Sequence, residues 1–273
     1  MTIQNADINV GPLYYKKRGL SFDQLLVTGI FFTLQGEGPF AGLPAIFIRL
    51  AGCNRGLKVG MGCEFCDTAF QVEKGVVMSF KEIATVMAEQ RQGRRFVADP
   101  LMVITGGEPM MQDNLHEFVF LMKRAGWMVQ IESNGDRLIA GFEEPDPAVF
   151  LVVSPKAKPK MTVSVEEEHG YRELKPEILE RADALKFVIS ADLTSHYSSP
   201  PMWALHPDIH RKVWLSPMTV YKKPAPTDKF SSAWDPELVD HDATAANYRH
   251  AAGLAIGHGC RVSIQQHLWY QVP

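Results

Sequence analysis

The sequence has no apolar run that approaches the roughly 20 residues needed to cross a bilayer. Residues 1–11 also lack the basic start and long apolar stretch of a signal peptide, so a cytoplasmic location is the default expectation. Positive charge is not in excess, because 28 lysines and arginines face 31 aspartates and glutamates and give a net charge of -3. This balance excludes the basic footprint of a typical nucleic-acid-binding protein. We therefore expect neither a membrane nor a nucleic acid as a direct partner.

Cysteine is also scarce, with four residues in a chain of 273. That number is too small for the disulfide scaffold of a small secreted protein. Three of the four, Cys53, Cys63 and Cys66, lie within 14 residues, whereas Cys260 stands alone. The clustering favours ligation of a metal or a metal cluster. Cys260 is best explained as a small buried apolar residue.

What the sequence does have is an alternation of short apolar runs with helical patterns. The clearest helix, 80–91, follows Ser79, which forms the pattern of a capping box with Glu82 three residues later. Short runs rich in β-branched and aromatic residues predict buried strands. The predicted strands are 45–50, 101–105, 128–132, 149–154, 184–190, 213–218 and 261–265, and the other predicted helices are 115–125, 175–181 and 242–257.

This alternation predicts an α/β fold built of parallel β/α units. About six units fit the length, fewer than the eight of a closed barrel, so we expect a partial (β/α)6-type barrel with mostly parallel strands. We expect residues 1–273 to form a single domain, in which residues 1–27 are an N-terminal arm. Residues 192–236 are expected to be loop-rich around the strand at 213–218, and loops of that length are usually functional or disordered.

The cysteine loop follows the predicted strand at 45–50. Cys63 and Cys66 have the C-x-x-C spacing with which two thiolates reach one metal centre, and Cys53 lies across a glycine-rich connector. Three thiolates leave one iron of a four-iron cluster without a protein ligand, which is the open position that a catalytic cluster needs. A structural zinc site, a thioredoxin-like pair formed by Cys63 and Cys66, and three unrelated buried thiols remain as alternatives.

Several motifs follow one another in an order that resembles a known family. They are the stretch 32–54, which begins Phe-Thr-Leu-Gln-Gly-Glu-Gly and ends Ala-Gly-Cys-Asn, then Cys66-Asp-Thr68, Thr105-Gly-Gly-Glu-Pro109, Glu132-Ser-Asn-Gly135, Ser154-Pro-Lys156 and Arg261-Val-Ser-Ile-Gln-Gln-His267. Together they resemble the radical S-adenosylmethionine superfamily and, within it, the 7-carboxy-7-deazaguanine synthase (QueE) family. One departure is the nine residues between Cys53 and Cys63, where most of the superfamily has three. QueE-type proteins vary in this gap, so the resemblance stands.

The resemblance implies a radical lyase of 7-deazapurine (queuosine) biosynthesis. Its cofactors would be a 4Fe-4S cluster, S-adenosyl-L-methionine and Mg²⁺. The reduced cluster would cleave S-adenosylmethionine, and the resulting radical would start the conversion of 6-carboxy-5,6,7,8-tetrahydropterin to 7-carboxy-7-deazaguanine with loss of ammonia. The implied partners are this small-molecule substrate, a second copy of the chain in a homodimer, and an electron donor such as flavodoxin.

The resemblance also implies roles for particular residues. The catalytic residues Cys53, Cys63 and Cys66 would hold the cluster, and the hydroxyl of Thr68 would ligate Mg²⁺, a cation that prefers oxygen. The residues implied in binding S-adenosylmethionine follow successive strands, where α/β active sites collect: they are Gly106, Gly107, Glu108, Ser133, Asn134, Ser154 and Lys156. Taken alone, these motifs also fit ordinary turns, and Lys156 also fits a solvated surface charge.

The implied substrate site draws on distant parts of the chain. Its residues are Leu34, Gln35, Gly36, Glu37, Arg49, Thr105, His267 and the terminal Pro273. The amide of Gln35 and the carboxylate of Glu37 suit the guanidine-like edge of a pterin. Arg49 lies inside an apolar strand, where an arginine needs a partner, and a substrate carboxylate and a barrel glutamate both fit. His267 also fits a purely structural histidine.

Two other functions stay open at the level of the sequence. A radical activase, which abstracts hydrogen from a partner protein, has the same cluster and a short barrel. The loop that contains Gln35 and Glu37 and the segment Cys66-Asp-Thr68 argue against it. A non-catalytic iron–sulfur or zinc protein is the third alternative, and it would not cleave S-adenosylmethionine.

Overall fold

The computed structural model describes residues 19–55, 63, 65–66, 75–93, 100–157, 170–222 and 239–270. Its strands are β1 (Gln24–Leu34), β2 (Pro44–Leu50), β3 (Val76–Ser79), β4 (Leu101–Gly106), β5 (Val129–Ser133), β6 (Val149–Val153), β7 (Ala184–Ile189), β8 (Val213–Pro217) and β9 (Arg261–Val262). Its α-helices are α1 (Phe80–Arg91), α2 (Leu115–Arg124), α3 (Pro176–Arg181), α4 (His241–His258) and α5 (Gln266–Tyr270). Among these helices, none combines the length and the apolar character that a membrane crossing needs.

The described strands form one sheet in the order β3-β1-β2-β4-β5-β6-β7-β8-β9. From β2 to β9 every neighbouring pair is parallel, and only β1 runs antiparallel to both of its neighbours. Parallel neighbours need crossover connections, which α2, α3 and α4 supply between β4 and β5, β6 and β7, and β8 and β9. The expected α/β fold, a partial barrel with mostly parallel strands, is confirmed.

Side-chain alternation gives each barrel strand two different faces. In β2, Ile46 and Ile48 are fully buried in the main apolar core, which also contains Phe80 and Ile83 of α1. Phe47, which lies between these two residues, and Arg49, which follows them, line a cavity instead. The strands therefore pack apolar side chains against the helices and turn a more polar set toward the interior of the barrel.

Two strands at the start of the sheet were not expected from the sequence. β1 begins at residue 24, inside the expected arm at 1–27, and it pairs with β2 from Val27 to Leu34 and with β3 from Gln24 to Val27. The pairing with β2 is an antiparallel hairpin closed by residues 35–43, whereas the pairing with β3 joins residues 24–27 to residues 76–79, and no local pattern predicts it. The rest of the predicted arm up to residue 18 lies outside the described residues.

The last predicted strand, 261–265, was too long. β9 ends at Val262, because the chain then leaves the sheet to contact the loop after β1. Gly38 donates its backbone N–H to the Ser263 hydroxyl over 2.8 Å, and Gln266 donates its N–H to the Gly36 carbonyl over 2.9 Å. This connection brings α5, which the sequence did not predict, against the entrance to the barrel.

The helix predicted at 80–91 and its capping box are confirmed. The Ser79 hydroxyl accepts a hydrogen bond from the backbone N–H of Glu82, and the Glu82 carboxylate accepts one from the backbone N–H of Ser79. These two bonds satisfy donors that the first turn of a helix otherwise leaves without partners.

Replacing Ser79 with alanine is expected to lower the free energy of unfolding by about 1 kcal/mol, because the cap is lost. Urea denaturation followed by circular dichroism measures this change. Ser79→Thr, which keeps the hydroxyl that accepts from the Glu82 N–H and donates to the Glu82 carboxylate, is the matched control and should stay within a few tenths of a kcal/mol of the wild type. An alanine variant as stable as the threonine variant would show that the cap contributes nothing.

Candidate active site

A cavity of about 250 Å³ opens at the carboxyl ends of the parallel strands, where α/β proteins place their sites. Its lining includes most of the residues that the sequence suggested: Leu34, Gln35, Glu37, Arg49, Cys53, Cys63, Cys66, Thr105, Gly106, Gly107, Ser133, Asn134, Ser154, Lys156 and His267. Gly36 and Glu108 lie behind this lining. Thr68 and Pro273 lie outside the described residues. The structure thus brings the described candidates together, while their contacts with cofactor and substrate stay predictions.

The three clustered cysteines are free thiols on the wall of this cavity. Cys53 and Cys63 are half-buried and Cys66 is exposed. The Cys66 backbone N–H donates to the Cys63 carbonyl over 3.0 Å, which closes the turn of the C-x-x-C segment. The backbone N–H of Arg55 donates to the Cys53 sulfur over 3.4 Å, a contact of the kind that tunes iron–sulfur centres.

Cys53 fits a role as a metal ligand better than a role as a free thiolate. Burial raises the pKa of Cys53 to about 12, helped by the charges of Glu108 and the other two cysteines and opposed by the Arg55 N–H. A bound metal ion is the usual source of the positive charge that makes such a thiolate stable. Within the described part of the chain, no three ligand side chains converge on a single-ion site. A four-iron cluster does not require that convergence, because each thiolate ligates a different iron.

Two glycines place the start of the cysteine loop against the end of β4. A Cβ on Gly107 would lie 1.8 Å from the Gly52 carbonyl oxygen, and one on Gly106 would lie 2.3 Å from the Leu50 carbonyl oxygen. Gly106 also has a φ of 120°, which other residues rarely adopt. Only glycine therefore fits at either position, and Cys53 follows directly from this contact.

The buried carboxylate of Glu108 binds the turn after β5. Glu108 is 1% exposed, and its carboxylate accepts hydrogen bonds from the Ser133 hydroxyl and from the backbone N–H groups of Asn134 and Met110. Burial nevertheless raises its pKa to about 7, because desolvation of the charge outweighs these three bonds. The carboxylate thus positions Ser133 and Asn134, and its own acceptor sites point away from the cavity lining.

A second set of contacts fixes the residues that follow Cys53. Asp136 accepts hydrogen bonds from the side chains of Asn54, over 2.8 Å, and Arg55, over 2.5 Å. Asn134 donates its side-chain N–H to the Asn54 side-chain oxygen over 2.7 Å. The turn after β5 is therefore bound to the cysteine loop by three hydrogen bonds. Asp136 was not identified from the sequence, where an aspartate after Asn-Gly looks like ordinary turn chemistry.

Lys156 lies beside the C-x-x-C turn. Its ammonium donates to the Ser154 carbonyl and hydroxyl oxygens over 2.8 and 2.7 Å, and it lies 5.7 Å from the centroid of the Phe65 ring. Burial lowers its pKa. Because Phe65 stands between Cys63 and Cys66, these contacts join the Ser-Pro-Lys motif to the cysteine loop.

A cluster of buried charges forms another part of the cavity wall. We call Glu37, Glu132 and Lys186 the carboxylate cluster. The Lys186 ammonium donates to both carboxylates, to that of Glu132 over 3.0 Å. Gln265 donates to Glu37 over 2.6 Å, and Gln35 donates to Glu132 over 3.2 Å. The loop after β1, the middle of the sheet and the segment before α5 thus meet around Lys186.

The charges in this cluster hold one another in the ionised state. Burial alone would raise the pKa of Glu37, but the charges of Lys186 and His267 and two hydrogen bonds lower it to about 2. Burial alone would lower the pKa of Lys186, but Glu132 and Glu37 raise it well above its usual range. Two carboxylates and one ammonium leave these three groups with one net negative charge.

The remaining candidates frame the same space. The Arg49 guanidinium lies 4.8 Å from the centroid of the Phe31 ring, and Arg49 pairs with Thr105 across β2 and β4. The His267 ring packs on Gly36, where a Cβ would lie 1.9 Å from its Nδ1 atom. Because Gly36 has no side chain, the His267 ring of α5 can occupy this position in the cavity wall.

Sequence reasoning missed Lys186, Glu132 and Gln265 as parts of this site. The signal for two of them was present, because a lysine inside Ala-Leu-Lys-Phe-Val-Ile and a glutamate inside Val-Gln-Ile-Glu-Ser are charges within buried strands. The same reasoning had identified Arg49. Gln265 had no such signal, since its partner Glu37 is 228 residues away.

A partial parallel barrel with three free thiols at the carboxyl ends of its strands defines a class of protein, the radical S-adenosylmethionine enzymes. The chain is 32% identical to the 7-carboxy-7-deazaguanine synthase of Rhodospirillum rubrum over 249 residues, 90% of this chain and 91% of that protein. It is 28% identical to the protein of the same name from Rickettsia prowazekii, over 89% of this chain and 87% of that one. No family model matches the chain.

A solved structure agrees with these relatives. The crystal structure of QueE from Escherichia coli superposes with a TM-score of 0.54 and 25% sequence identity, over 93% of this chain and 97% of that one. The chain belongs to the 7-carboxy-7-deazaguanine synthase family. This membership confirms a radical S-adenosylmethionine lyase over the activase and the non-catalytic protein, and it implies S-adenosylmethionine and a 4Fe-4S cluster as cofactors.

Replacing Glu108 with glutamine is expected to cost more stability at pH 5 than at pH 8. The folded-state pKa of about 7 lies above the ordinary value of 4.5, so the stability that the neutral carboxyl contributes is present at low pH and lost as the pH rises through 7. Glutamine also turns an amide donor toward backbone donors, at a cost of about 1–3 kcal/mol. Urea denaturation at the two pH values measures both effects.

Glu89→Gln, on the exposed face of α1, is the matched control and should show the same small effect at both pH values. A Glu108→Gln cost that stays constant or grows between pH 5 and pH 8 would contradict the assignment of a neutral buried carboxyl.

Proposed function

We propose that this protein converts 6-carboxy-5,6,7,8-tetrahydropterin to 7-carboxy-7-deazaguanine with loss of ammonia, a step of 7-deazapurine (queuosine) biosynthesis. The observation that carries the proposal is a single cavity lined both by three free thiols and by the buried carboxylates of Glu37 and Glu132. The first set suits the cluster that membership of the family implies. The second suits a ring that presents several N–H donors.

The cofactor side of the cavity would be built by the cysteine loop and the turns after β4, β5 and β6. Cys53, Cys63 and Cys66 would hold the cluster. Together with S-adenosylmethionine, such a cluster would supply the radical chemistry that removes a hydrogen atom from the substrate. The residues that would bind S-adenosylmethionine are Gly106, Gly107, Ser133, Asn134, Ser154 and Lys156. Glu108 would act through Ser133 and Asn134, because it lies outside the cavity lining and its carboxylate accepts hydrogen bonds from both residues.

The substrate side would be built around the carboxylate cluster. Glu37 would accept hydrogen bonds from the amino-pyrimidine edge, supported by Gln35, whose side chain contacts both Glu132 and the Glu37 backbone. Arg49 would pair with the substrate carboxylate, since a guanidinium in a strand interior suits a bidentate anion. Leu34, Thr105 and His267 would complete the wall, with Gly36 behind them, and Pro273 is proposed as a further substrate contact.

Further parts of the proposal rest on the resemblance to the family. Thr68 is proposed to ligate a Mg²⁺ ion that also holds the substrate. A homodimer, an electron donor such as flavodoxin and a cytoplasmic location belong to the same proposal. We also propose that residues 1–273 form a single domain, because every described strand belongs to one sheet.

The proposed reaction is tested by reconstituting the protein anaerobically with iron and sulfide and supplying a reductant, S-adenosylmethionine, Mg²⁺ and the carboxypterin. We expect 7-carboxy-7-deazaguanine, detected by mass spectrometry. Cys63→Ala should abolish the product, because the cluster loses a ligand that the protein cannot replace. Cys260→Ala, outside the cavity, should leave it unchanged. Turnover by the Cys63 variant would refute the assignment of this thiol to the cluster.

The Mg²⁺ site is tested with Thr68→Val, which keeps the shape of the side chain and removes its oxygen. Chelation of Mg²⁺ should lower product formation by the wild type, and re-addition should restore it, because the ion prefers oxygen ligands. Thr68→Ser should respond as the wild type does. If Thr68→Val shows the same stimulation by Mg²⁺ as the wild type, the ion is not ligated by this hydroxyl.

A further inference from the structure

Lys186 is the one member of the carboxylate cluster that touches both of the others. It lies in β7, it is 7% exposed, and two of its three ammonium protons have acceptors on Glu37 and Glu132 within the described part of the chain. Its neighbour two residues along, Val188, faces the same cavity. The side chain therefore stands in the cavity wall and binds two carboxylates from the loop after β1 and from β5.

The cluster keeps hydrogen-bonding capacity for a ligand. A carboxylate offers about four acceptor positions. Glu37 uses two of them, for Lys186 and Gln265, and Glu132 uses three, for Lys186, Gln130 and Gln35. The acceptor positions left on the two carboxylates stand beside the third proton of Lys186. The cluster thus offers acceptors and one donor side by side.

We propose that Lys186 is a positioning and specificity residue that makes this cavity select a 2-amino-4-oxo-pyrimidine ring. Such a ring presents two neighbouring donors, the 2-amino group and N3–H, and then the acceptor O4, which complements the cluster. This inference rests on the proposed function, and it adds to it the basis on which the substrate ring is recognised. A ring with oxygen at position 2 would turn an acceptor toward a carboxylate, and that contact is repulsive.

Lys186 is needed because it keeps both carboxylates as acceptors. Two buried carboxylates near one another do not both stay ionised without a cation, and one of them takes up a proton and becomes a donor. A protonated carboxyl donates its O–H to a 2-oxo group, so the discrimination against that group is lost. Of the other cationic side chains in the wall, Lys156 is bound to Ser154, Arg55 is bound to Asp136, and the charge of His267 acts on Glu37. Lys186 is the side chain whose ammonium donates to both Glu37 and Glu132.

The test measures binding to the reconstituted protein with S-adenosylmethionine and without a reductant, so that no turnover occurs. The probes are pterin-6-carboxylate and lumazine-6-carboxylate, which differ at position 2, and isothermal titration calorimetry gives both dissociation constants. We expect the wild type to bind the pterin about 100-fold or more tightly than the lumazine. The lumazine would leave buried polar groups of the site without hydrogen-bond partners, and sites of that kind discriminate strongly. In Lys186→Met, pterin affinity should fall about tenfold or more, and the preference should fall below about tenfold.

Lys212→Met is the matched control, because the Lys212 ammonium donates to carbonyls of residues 180 and 182 before β7 and does not line the cavity. It should keep the preference of the wild type. Iron content and far-ultraviolet circular dichroism verify that each variant is folded and loaded. Should Lys186→Met not fold, the double variant Lys186→Met/Glu132→Gln removes the excess buried charge, and it should fold and show the same loss of preference.

A folded Lys186 variant that keeps the 100-fold preference overturns the proposal, even if the wild type makes the deazaguanine product. A wild type that forms no product but loses its preference on Lys186→Met supports the role of Lys186 and overturns the proposed reaction. The two assays therefore separate the failure of the inference from the failure of the function.

Discussion

The contact between Gly107 and Gly52 is the constraint on which the cofactor side of the cavity depends. The two backbones lie so close that any side chain on Gly107 would overlap the Gly52 carbonyl. The Glu108 N–H donates to that same carbonyl over 2.8 Å, so the turn after β4 and the start of the cysteine loop form one unit. Cys53 follows Gly52 directly in the chain. On the other side of this unit, the Glu108 carboxylate accepts a hydrogen bond from the backbone N–H of Asn134. A single pair of glycines thus sets the position of Cys53, a proposed cluster ligand, relative to two neighbouring turns.

The second constraint is the cost of charge inside the barrel. Alternate residues of each strand face the interior of the barrel. Arg49 of β2, Glu132 of β5 and Lys186 of β7 occupy such positions, where water cannot solvate them fully. Replacing a buried ion pair with apolar residues is often neutral or stabilising, so the carboxylate cluster contributes little to the stability of the fold. Proteins depart from a simple apolar interior chiefly at functional sites. The charges on these inner faces are therefore explained by what the cavity binds.

The parts of the fold that local chemistry determines could be predicted from the sequence. Helix α1 and its cap depend on Ser79 and Glu82, three residues apart, and the buried parallel strands are continuous apolar runs. The pairing of β1 with β3 could not be predicted, because it joins residues 24–27 to residues 76–79, which are distant in sequence. The same holds within the site. The thiols and the glycine-rich turn are recognisable by residue type and spacing, whereas Lys186 acts through Glu37, which is 149 residues away.

The unusual spacing between Cys53 and Cys63 is compatible with one cluster because each side of the gap has its own anchor. On the first side, Asp136 binds Asn54 and Arg55. On the second, the Phe65 ring packs edge-on against Tyr197, with 5.0 Å between centroids. Tyr197 belongs to the loop-rich region that begins at residue 192, and its hydroxyl accepts a hydrogen bond from the Ala157 N–H directly after Lys156. Cys53 and the Cys63–Cys66 turn are therefore each held by contacts with residues outside the segment that joins them.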